Sequence, residues 1–490
     1  MELFQGFLTV FSGWTFFAVL IGTLFGMILG AIPGLTSTMA LAILAPLTFG
    51  FDPIVAICML MGIYIGGIAG GSISAICLNI PGTPASAATA IDGYCLSRQG
   101  ESQKALNVSF LASAVGGLFS GAILITLAPY IAKVGLKFSS PEYFALGILG
   151  ISIILSISGK QLVKGLAVAL LGFMIATIGI DPISGFSRYT FENSNLTNGI
   201  SYIPALIGLF GLSEVFSFVN DSYQSKSKNF KYRIKLKSFE WKRIMGTLFR
   251  SSSIGTFIGA IPGAGADIAS WASYDVATRF AKKDDKYGKG ELKGVVASEA
   301  ANNANVGGAL IPMMTFGIPG DGQTAMLIAF LLIQGLEPGP LLFQNNPDFV
   351  WAMFASVLIA NVLVFLYGIS LTNSIVKIIS QPTKIIYPCV IMFCLIGSFA
   401  VNNNIFDIGM MCLFGVIGFL LKKFDYPIAP LMLALILAPM IESNLRRGLV
   451  MYENNFLMFF QRPIFLGILA LGIILIISTL WLRKSTNNIG

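Results

Sequence analysis

The stretch GAIPGLTSTMALAILAP, residues 30–46, returns in altered form as GAIPGAGADIASWAS, residues 259–273. Each copy places Pro and Gly inside an apolar run, although both residues are poor formers of helix interiors. Pro262 lies 229 residues after Pro33. A helix-breaking motif that occurs twice in apolar surroundings indicates that the protein needs an interruption of the helix at both places.

A second pair of motifs has the same relationship. NIPGTPASAATA at 79–90 corresponds to GIPGDGQTAMLI at 317–328, and Pro319 lies 238 residues after Pro81. The nine additional residues fall between the two motifs of the later half, where the charged stretch 274–294 is located. Two pairs of motifs in the same order predict a tandem duplication.

The composition is that of an integral membrane protein. Of 490 residues, 55% are hydrophobic and 11% charged, with a mean hydropathy of +0.80, whereas a soluble domain has about 25% charged residues. Apolar runs at 105–132, 349–371 and 463–482 reach the roughly 20 residues that a spanning helix needs, and none alternates like a barrel strand. We therefore expect an all-α polytopic membrane protein with about 11–14 membrane segments.

Several functions are disfavoured by residue usage. The chain has no histidine and its six cysteines form no C-x-x-C motif, so no metal centre or cofactor is expected beyond a coupling ion, Na+ or H+. The net charge of +8 comes from basic loops between spans, which the positive-inside rule explains without nucleic acid. The N-terminus lacks the basic region of a cleavable signal peptide, so we expect the first span to be retained.

Loop charges predict the orientation of each half. The basic stretch 226–243 is the strongest cytoplasmic anchor, and the basic loop 274–294 belongs on the same side. The apolar stretch between them is too short for two full helices, which predicts a re-entrant or broken hairpin that turns at its Pro-Gly motif. In the first half the pattern is reversed, since 46–53 has no basic residue and 92–104 has two. The two repeats are therefore expected to have inverted topology.

The predicted organisation has three parts. Residues 1–220 form the first transmembrane repeat, 221–243 a basic cytoplasmic linker, and 244–490 the second, inverted repeat. Arg446 and Arg447 contradict this scheme, because it places them on the outer side.

Paired Gly/Pro interruptions in two inverted halves indicate the midplane site of a secondary transporter. Non-helical backbone at membrane depth must line a cavity or be buried in protein. The alternative is that the Pro-Gly kinks only help helices to pack. A channel would more naturally repeat in parallel around a pore, and an intramembrane aspartyl protease would need a G-x-G-D word that neither AGAD nor IPGD supplies, so no enzymatic activity is expected.

The sequence resembles the large membrane subunit of the tripartite tricarboxylate transporter family. The similarity is carried by four words that cover most of residues 20–106 and 255–340. They are GAIPGLTSTMALAILAPLTF, GIYIGGIAGGSISAICLNIPGTPASAATAIDGYCLSRQGESQKAL, GAIPGAGADIASWASYDVATRFAKK and ASEAANNANVGGALIPMMTFGIPGDGQTAMLIAFLLIQGLEPGP.

The resemblance implies a permease of the bacterial cell inner membrane that imports di- or tricarboxylates such as citrate by cation symport. It implies two partners, a small four-span membrane subunit and a periplasmic solute-binding protein that delivers the carboxylate, and a homodimer of the assembled complex is one expected arrangement. The alternative is a carboxylate transporter or exporter that acts without a binding protein, because the sequence does not show the direction of flux.

The candidate substrate-binding residues lie at the four motifs, where helix N-termini and hydroxyls would meet an anion without help from Lys or Arg. They are Pro33, Gly34, Thr36, Ser37, Thr38, Asn79, Pro81, Gly82, Thr83, Ser86, Gly263, Gly265, Ser270, Pro319, Gly320, Gln323 and Thr324.

The candidate ion-coupling residues offer hard oxygen ligands suited to Na+. They are Asp267, Asn302, Asn303, Asn305 and Asp321. Glu299 has two equal interpretations, a membrane role or the end of a charged loop. Asp92 is expected to be solvated at the cytoplasmic boundary.

Overall fold

The computed structural model describes residues 2–157, 162–181, 183–220, 240–379 and 383–474. Most of the predicted linker, 221–239, lies outside the described residues. The first part of the chain contains α1 Glu2–Phe11, α2 Thr15–Ala31, α3 Ser37–Leu44, α4 Pro53–Leu78, α5 Ala87–Arg98, α6 Ser102–Gly135, α7 Ser140–Ile157, α8 Leu162–Ala176, α9 Tyr202–Leu206 and α10 Ser213–Asn220. Strands β1, Gly179–Ile180, and β2, Ser187–Arg188, pair antiparallel.

The later part contains α11 Trp241–Gly259, α12 Gly265–Arg279, α13 Leu292–Phe316, α14 Gly322–Ile333, α15 Pro340–Asn345, α16 Pro347–Ser370, α17 Thr372–Ile379, α18 Thr383–Asn402, α19 Ile405–Lys423 and α20 Ala429–Met451. An apolar helix over Pro463–Ile474 follows. Short 3-10 turns occupy Ala45–Thr48, Pro84–Ser86, Ser194–Leu196 and Phe456–Gln461, and a π-helix occupies Ile207–Leu212.

The all-α polytopic class is confirmed. Among the described residues five helices, α4, α6, α16, α19 and α20, are long and apolar enough to cross a membrane, and the pair α1 and α2, bent by 80°, would make six. Six further apolar helices are shorter, including α8 and α14. Gly and Pro divide several apolar runs into helices too short for this length criterion. The number of about 11–14 segments and the inverted repeats stay a prediction.

Each of the four Pro-Gly motifs interrupts helical structure, as the sequence predicts. Breaks separate α2 from α3, α4 from α5, α11 from α12, and α13 from α14. The second and fourth breaks, α4 to α5 and α13 to α14, share their local geometry at a separation of 238 residues. Asn79 after α4 and Gly317 after α13 are both left-handed, with φ of 58° and 70°, and a capping box follows each, Thr83 with Ser86 and Asp321 with Thr324.

Glycines bring the helices that flank the breaks into backbone contact. A Cβ on Gly26 of α2 would lie 2.8 Å from the Ile63 Cα of α4, and one on Gly255 of α11 would lie 2.7 Å from the Ala301 Cα of α13. Small residues permit such approaches in membranes, where packing rather than hydrophobicity joins helices. These close pairs form the frame around the breaks.

Substituting Ala for Gly26 tests this packing. The added methyl group has no space against α4, so we expect a loss of about 1–3 kcal/mol and a lower Tm of the detergent-purified protein. Gly246→Ala on α11 is the matched control, since nothing lies within 4 Å of its Cβ. The control is expected to gain about 0.5–1 kcal/mol from helix propensity. Equal Tm values for the two variants would contradict the close approach.

Arg446, which does not fit the loop-charge scheme, lies in an ion-pair network. Its guanidinium is 2.5 Å from an Asp181 oxygen and 3.0 Å from Glu442, and Arg188 lies 2.6 Å from Glu442. The network joins the β-hairpin loop to α20. Arg446 therefore has a structural role in joining this loop to α20, whichever side of the membrane it lies on.

The pKa of Asp181 supplies a pH test. Backbone N–H groups of Ser184 and Ile183 and the Arg446 side chain hold the pKa of this carboxyl below its usual range. A carboxyl whose pKa is lower in the folded than in the unfolded protein stabilises the folded state at pH values above its unfolded pKa of about 4. This contribution is lost as the pH falls through the folded-state pKa. We expect Asp181→Asn to lower the Tm at pH 7, with the difference from wild type shrinking towards pH 3. Glu101→Gln, in an exposed pair with Lys104, should change the Tm little at any pH.

Candidate functional site

A cavity of about 450 Å³ lies where the four helix breaks meet. Its polar wall comes from four short segments, which are Thr36–Thr38, Thr83–Ala85, Gly263–Ile268 and Asp321–Gln323. Its apolar wall comes from five side chains, which are Ile68, Phe210, Ala429, Met432 and Leu433. The lining thus combines residues that are far apart in sequence.

All four polar segments are starts of helical segments. They precede or begin α3, the turn before α5, α12 and α14. The first N–H groups of a helix have no partner in the preceding turn, and together with the helix dipole they favour negative charge. The lining residues in the described part of the chain include no Lys or Arg. The cavity can therefore attract an anion through backbone and hydroxyl groups.

Asp321 is the buried N-cap residue of α14, and both of its carboxylate oxygens accept hydrogen bonds. Its Oδ1 accepts from the Thr324 backbone N at 2.9 Å and hydroxyl at 2.8 Å, and its Oδ2 accepts from the Tyr64 hydroxyl at 2.5 Å and the Asn305 amide at 3.2 Å. Its side chain is occupied in holding the start of α14. Asn305 supports it from α13, outside the cavity lining.

Asp267 has a different environment. It lies in the first turn of α12, lines the cavity and is exposed there. Among the described residues it takes part in no ion pair. A carboxylate at such a place is costly within a membrane unless a cation accompanies it. Asp267 is thus the carboxylate with capacity for a new partner.

Contacts within the cavity join the two halves of the chain. Gln323 donates from its side-chain amide to the Ser37 hydroxyl, and Gly322 faces Thr38 so closely that a Cβ would lie 3.1 Å from the Thr38 hydroxyl. Within the later half, the Gly263 N–H donates to the Gly320 carbonyl at 2.6 Å and joins two helix breaks. The helix starts are therefore fixed against one another.

The structure brings nine of the twenty-two predicted site residues together at the cavity. Lining the cavity are Thr36, Ser37, Thr38, Thr83, Gly263, Gly265, Asp267, Asp321 and Gln323. Outside the lining are Pro33, Gly34, Asn79, Pro81, Gly82, Ser86, Ser270, Pro319, Gly320, Thr324, Asn302, Asn303 and Asn305. Ser86 and Thr324 close capping boxes, and the Gly and Pro residues shape the breaks.

Asn302 and Asn303 belong to a second cluster around Glu299. The Glu299 carboxylate is fully buried and accepts from Thr89, Ser113 and Asn302. The interpretation of Glu299 as the end of a charged loop is therefore wrong, because α13 begins seven residues earlier, at Leu292.

The expectation that Asp92 is solvated is also wrong. Its carboxylate is fully buried and accepts from the backbone N–H groups of Gly290 and Glu291, each at 2.9 Å, and from the Tyr274 hydroxyl at 2.8 Å. The loop before α13 folds back over α5 and removes Asp92 from water. Asp92 thus ties the first half to the second.

Sequence reasoning missed part of the site. Tyr64 is the one polar aromatic residue in the Gly-rich α4, a signal that could have been noticed. Phe210, Ala429, Met432 and Leu433 carry no signal, because they lie in ordinary apolar runs.

Comparisons with known proteins agree with the resemblance. The sequence model of the Tripartite tricarboxylate transporter TctA family matches residues 16–433. The "Uncharacterized 52.8 kDa protein in TAR-I ttuC' 3'region" of Agrobacterium vitis is 35% identical over 468 residues, 95% of this chain and 92% of that protein. The "Uncharacterized protein in TAR-II ttuC' 3'region" of the same organism is 33% identical over 226 residues, 46% of this chain and 93% of that protein. No solved structure matches the chain.

The capping role of Asp321 can be separated from its charge. Asn caps helices as well as Asp does, so Asp321→Asn is expected to fold with a Tm near that of wild type. Asp321→Ala loses the cap and leaves the Tyr64 and Asn305 groups unpaired, at a cost of about 2–4 kcal/mol. Thermal unfolding of both variants in detergent measures the difference. Identical Tm values would exclude the capping role.

Proposed function

The chain belongs to the tripartite tricarboxylate transporter TctA family, and we propose that it is the permease that imports di- or tricarboxylates such as citrate across the bacterial inner membrane. The transport is secondary, with Na+ or H+ moving in the same direction. Membership in a tripartite system implies other subunits.

The observation that carries this proposal is the convergence of four helix starts on one cavity without Lys or Arg. A di- or tricarboxylate presents several carboxylates, and separate helix N-termini can each receive one through N–H groups and the Thr36, Ser37, Thr38 and Thr83 hydroxyls. Binding through neutral donors is also reversible, as transport requires. A cluster of fixed positive charges would hold the anion more strongly and slow its release.

We propose a coupled cation because carboxylates also line the cavity. Asp267 lines the wall, and its charge would repel a carboxylate substrate. A cation bound at Asp267, with Asp321 and Asn305 behind it, removes this repulsion, so each ligand favours the other. Hard oxygen ligands suit Na+, and a proton on Asp267 would serve the same purpose.

Partners and movement belong to the same proposal. A periplasmic solute-binding protein delivers the carboxylate, a small four-span subunit completes the membrane complex, and the complex pairs as a homodimer. Two inverted halves would expose the cavity to each side in turn, and the contact between Gln323 and Ser37 lies where the halves would have to separate. The second candidate, transport without a binding protein, retains the same cavity.

Uptake of radiolabelled citrate, succinate and malate into vesicles tests the proposal. The vesicles contain this chain and its small subunit, with binding protein added or omitted, and Na+ and pH gradients are imposed separately. We expect uptake to follow one gradient and to require the binding protein. Asp267→Asn should lower gradient-driven uptake by at least about tenfold, since one charged contact contributes about 1.5–3 kcal/mol.

Asp275→Asn is the matched control, because Asp275 lies on the same helix, is paired with Arg279 and is outside the cavity lining. Gradient-driven uptake that persists in Asp267→Asn would remove Asp267 from the coupling site. Uptake without the binding protein would favour the second candidate. No gradient-dependent uptake of any carboxylate would refute symport.

A further inference from the structure

A second polar cluster is buried between α5, α6 and α13. At its centre is Glu299, whose Oε1 lies 2.5 Å from the Thr89 hydroxyl and 3.3 Å from the Asn302 amide nitrogen, and whose Oε2 lies 2.9 Å from the Ser113 hydroxyl. Ser298 extends the cluster, with its hydroxyl 2.8 Å from that of Thr89. Glu299, Thr89 and Ser113 are fully buried. None of these residues lines the 450 Å³ cavity.

The cluster contains a carboxylate without a positive partner. Within the described ranges Glu299 forms no ion pair, and its contacts are hydroxyls and amides. An ionised carboxylate buried in this way is costly, because neutral donors replace only part of the hydration that it loses. A bound cation would compensate for the missing charge.

Two further oxygens in the cluster are left without partners. Ser109 of α6 lies close enough to Glu299 for its hydroxyl to act on the carboxylate, but the hydroxyl does not reach hydrogen-bond geometry with that or any other described group. The Asn303 side-chain oxygen also has no hydrogen-bond partner within the described chain, although its amide nitrogen donates to Asn302 at 2.6 Å. Both residues are fully buried. Buried polar atoms are nearly always satisfied, and an exception points to an unseen water or ion.

We propose that this cluster binds one Na+ ion, with the Glu299 carboxylate and the hydroxyl oxygens of Thr89, Ser109 and Ser113 as its ligands. A carboxylate with several neutral oxygens is a hard ligand set of the kind that alkali and alkaline-earth cations prefer. The hydroxyls can rotate to direct lone pairs at the ion, and Thr89 can then donate to Ser298. The ion would neutralise Glu299 and engage Ser109.

This site is distinct from the cation position at Asp267, and its occupation does not depend on whether the chain transports carboxylates. α13 links the two places, because Asn305, which holds Asp321, lies six residues after Glu299. Six residues correspond to about 9 Å along a helix. A cation at Glu299 would therefore fix the helix that supports one wall of the cavity.

Sodium-dependent stabilisation of the purified full-length chain tests the proposal. A cation that binds only the folded state stabilises it by RT ln(1 + [Na+]/Kd), so the Tm rises with the Na+ concentration. The reference protein is Asp267→Asn, which removes the one cavity carboxylate that is not committed to a helix cap, and NaCl is replaced by choline chloride at constant ionic strength. We expect the Tm of this protein to rise with Na+, and the rise to disappear when Glu299→Gln is added.

Ser109→Ala in the same background covers the case in which Glu299→Gln does not fold. It deletes one proposed ligand, so the Na+ concentration that produces a given rise in Tm should increase about tenfold, as expected for the loss of about 1.4 kcal/mol of binding free energy. Ser356→Ala is the matched control, since Ser356 is equally buried but donates to the Met353 carbonyl on α16. It should leave the Na+ dependence unchanged.

Three outcomes would overturn the sodium site. They are a Tm of the Asp267→Asn protein that is insensitive to Na+, a rise that survives both Glu299→Gln and Ser109→Ala, and an equal effect of Ser356→Ala. A response to pH without a response to Na+ would assign a proton to Glu299 and likewise refute the proposal. Failure of gradient-driven uptake of every carboxylate tested, with Na+ stabilisation intact, would refute the transport function alone.

Discussion

Backbone that leaves the helical conformation at membrane depth must find partners for its N–H and C=O groups, because lipid offers none. The rest of this structure depends on how four such breaks are satisfied. The Thr83 and Asp321 capping boxes close two of them, and the Gly263 N–H reaches the Gly320 carbonyl between two breaks. Glycine contacts between α2 and α4 and between α11 and α13 hold the surrounding helices close enough for these bonds to form. The breaks are therefore satisfied partly by local caps and partly by contacts with one another.

Backbone N–H and side-chain groups at the helix starts that are not used in capping are available to a ligand. Thr36 accepts from the Met39 backbone N at 3.2 Å, whereas the first N–H groups of the four helix starts have no partner in a preceding turn. The Asp321 carboxylate accepts hydrogen bonds from Thr324 of α14 and from Tyr64 and Asn305. The Asp267 carboxylate is not committed in this way. The same constraint that orders the breaks thus produces an anion-attracting cavity with one uncommitted carboxylate. Structure and chemistry at this site have a single origin.

The sequence predicted what local chemistry decides and missed what tertiary contacts decide. Pro33, Pro81, Pro262 and Pro319 each mark a break because Pro and Gly act on their own turn of helix. Asp92 and Glu299 were misjudged or left open because their burial depends on segments about 200 residues away, Gly290 in one case and Thr89 in the other. The apolar cavity wall that α20 provides could not be predicted from the sequence for the same reason. Asn302, Asn303 and Asn305 occur within four residues, and the helical period alone turns Asn305 towards Asp321 and the other two towards Glu299.

That division of one helix between two polar centres has a mechanical consequence. α13 is a buried helix whose Glu299 contacts α5 and α6, while its Asn305 contacts the cap of α14. A helix transmits displacement along its axis because its backbone hydrogen bonds resist compression, so a shift at Glu299 cannot leave Asn305 in place. Asn305 in turn shares the Asp321 Oδ2 atom with Tyr64 of α4. A rearrangement of α5 that displaces α13 along its axis would therefore be passed through Asn305 and Asp321 to the α14 N-terminus, which is one of the four groups that face the cavity.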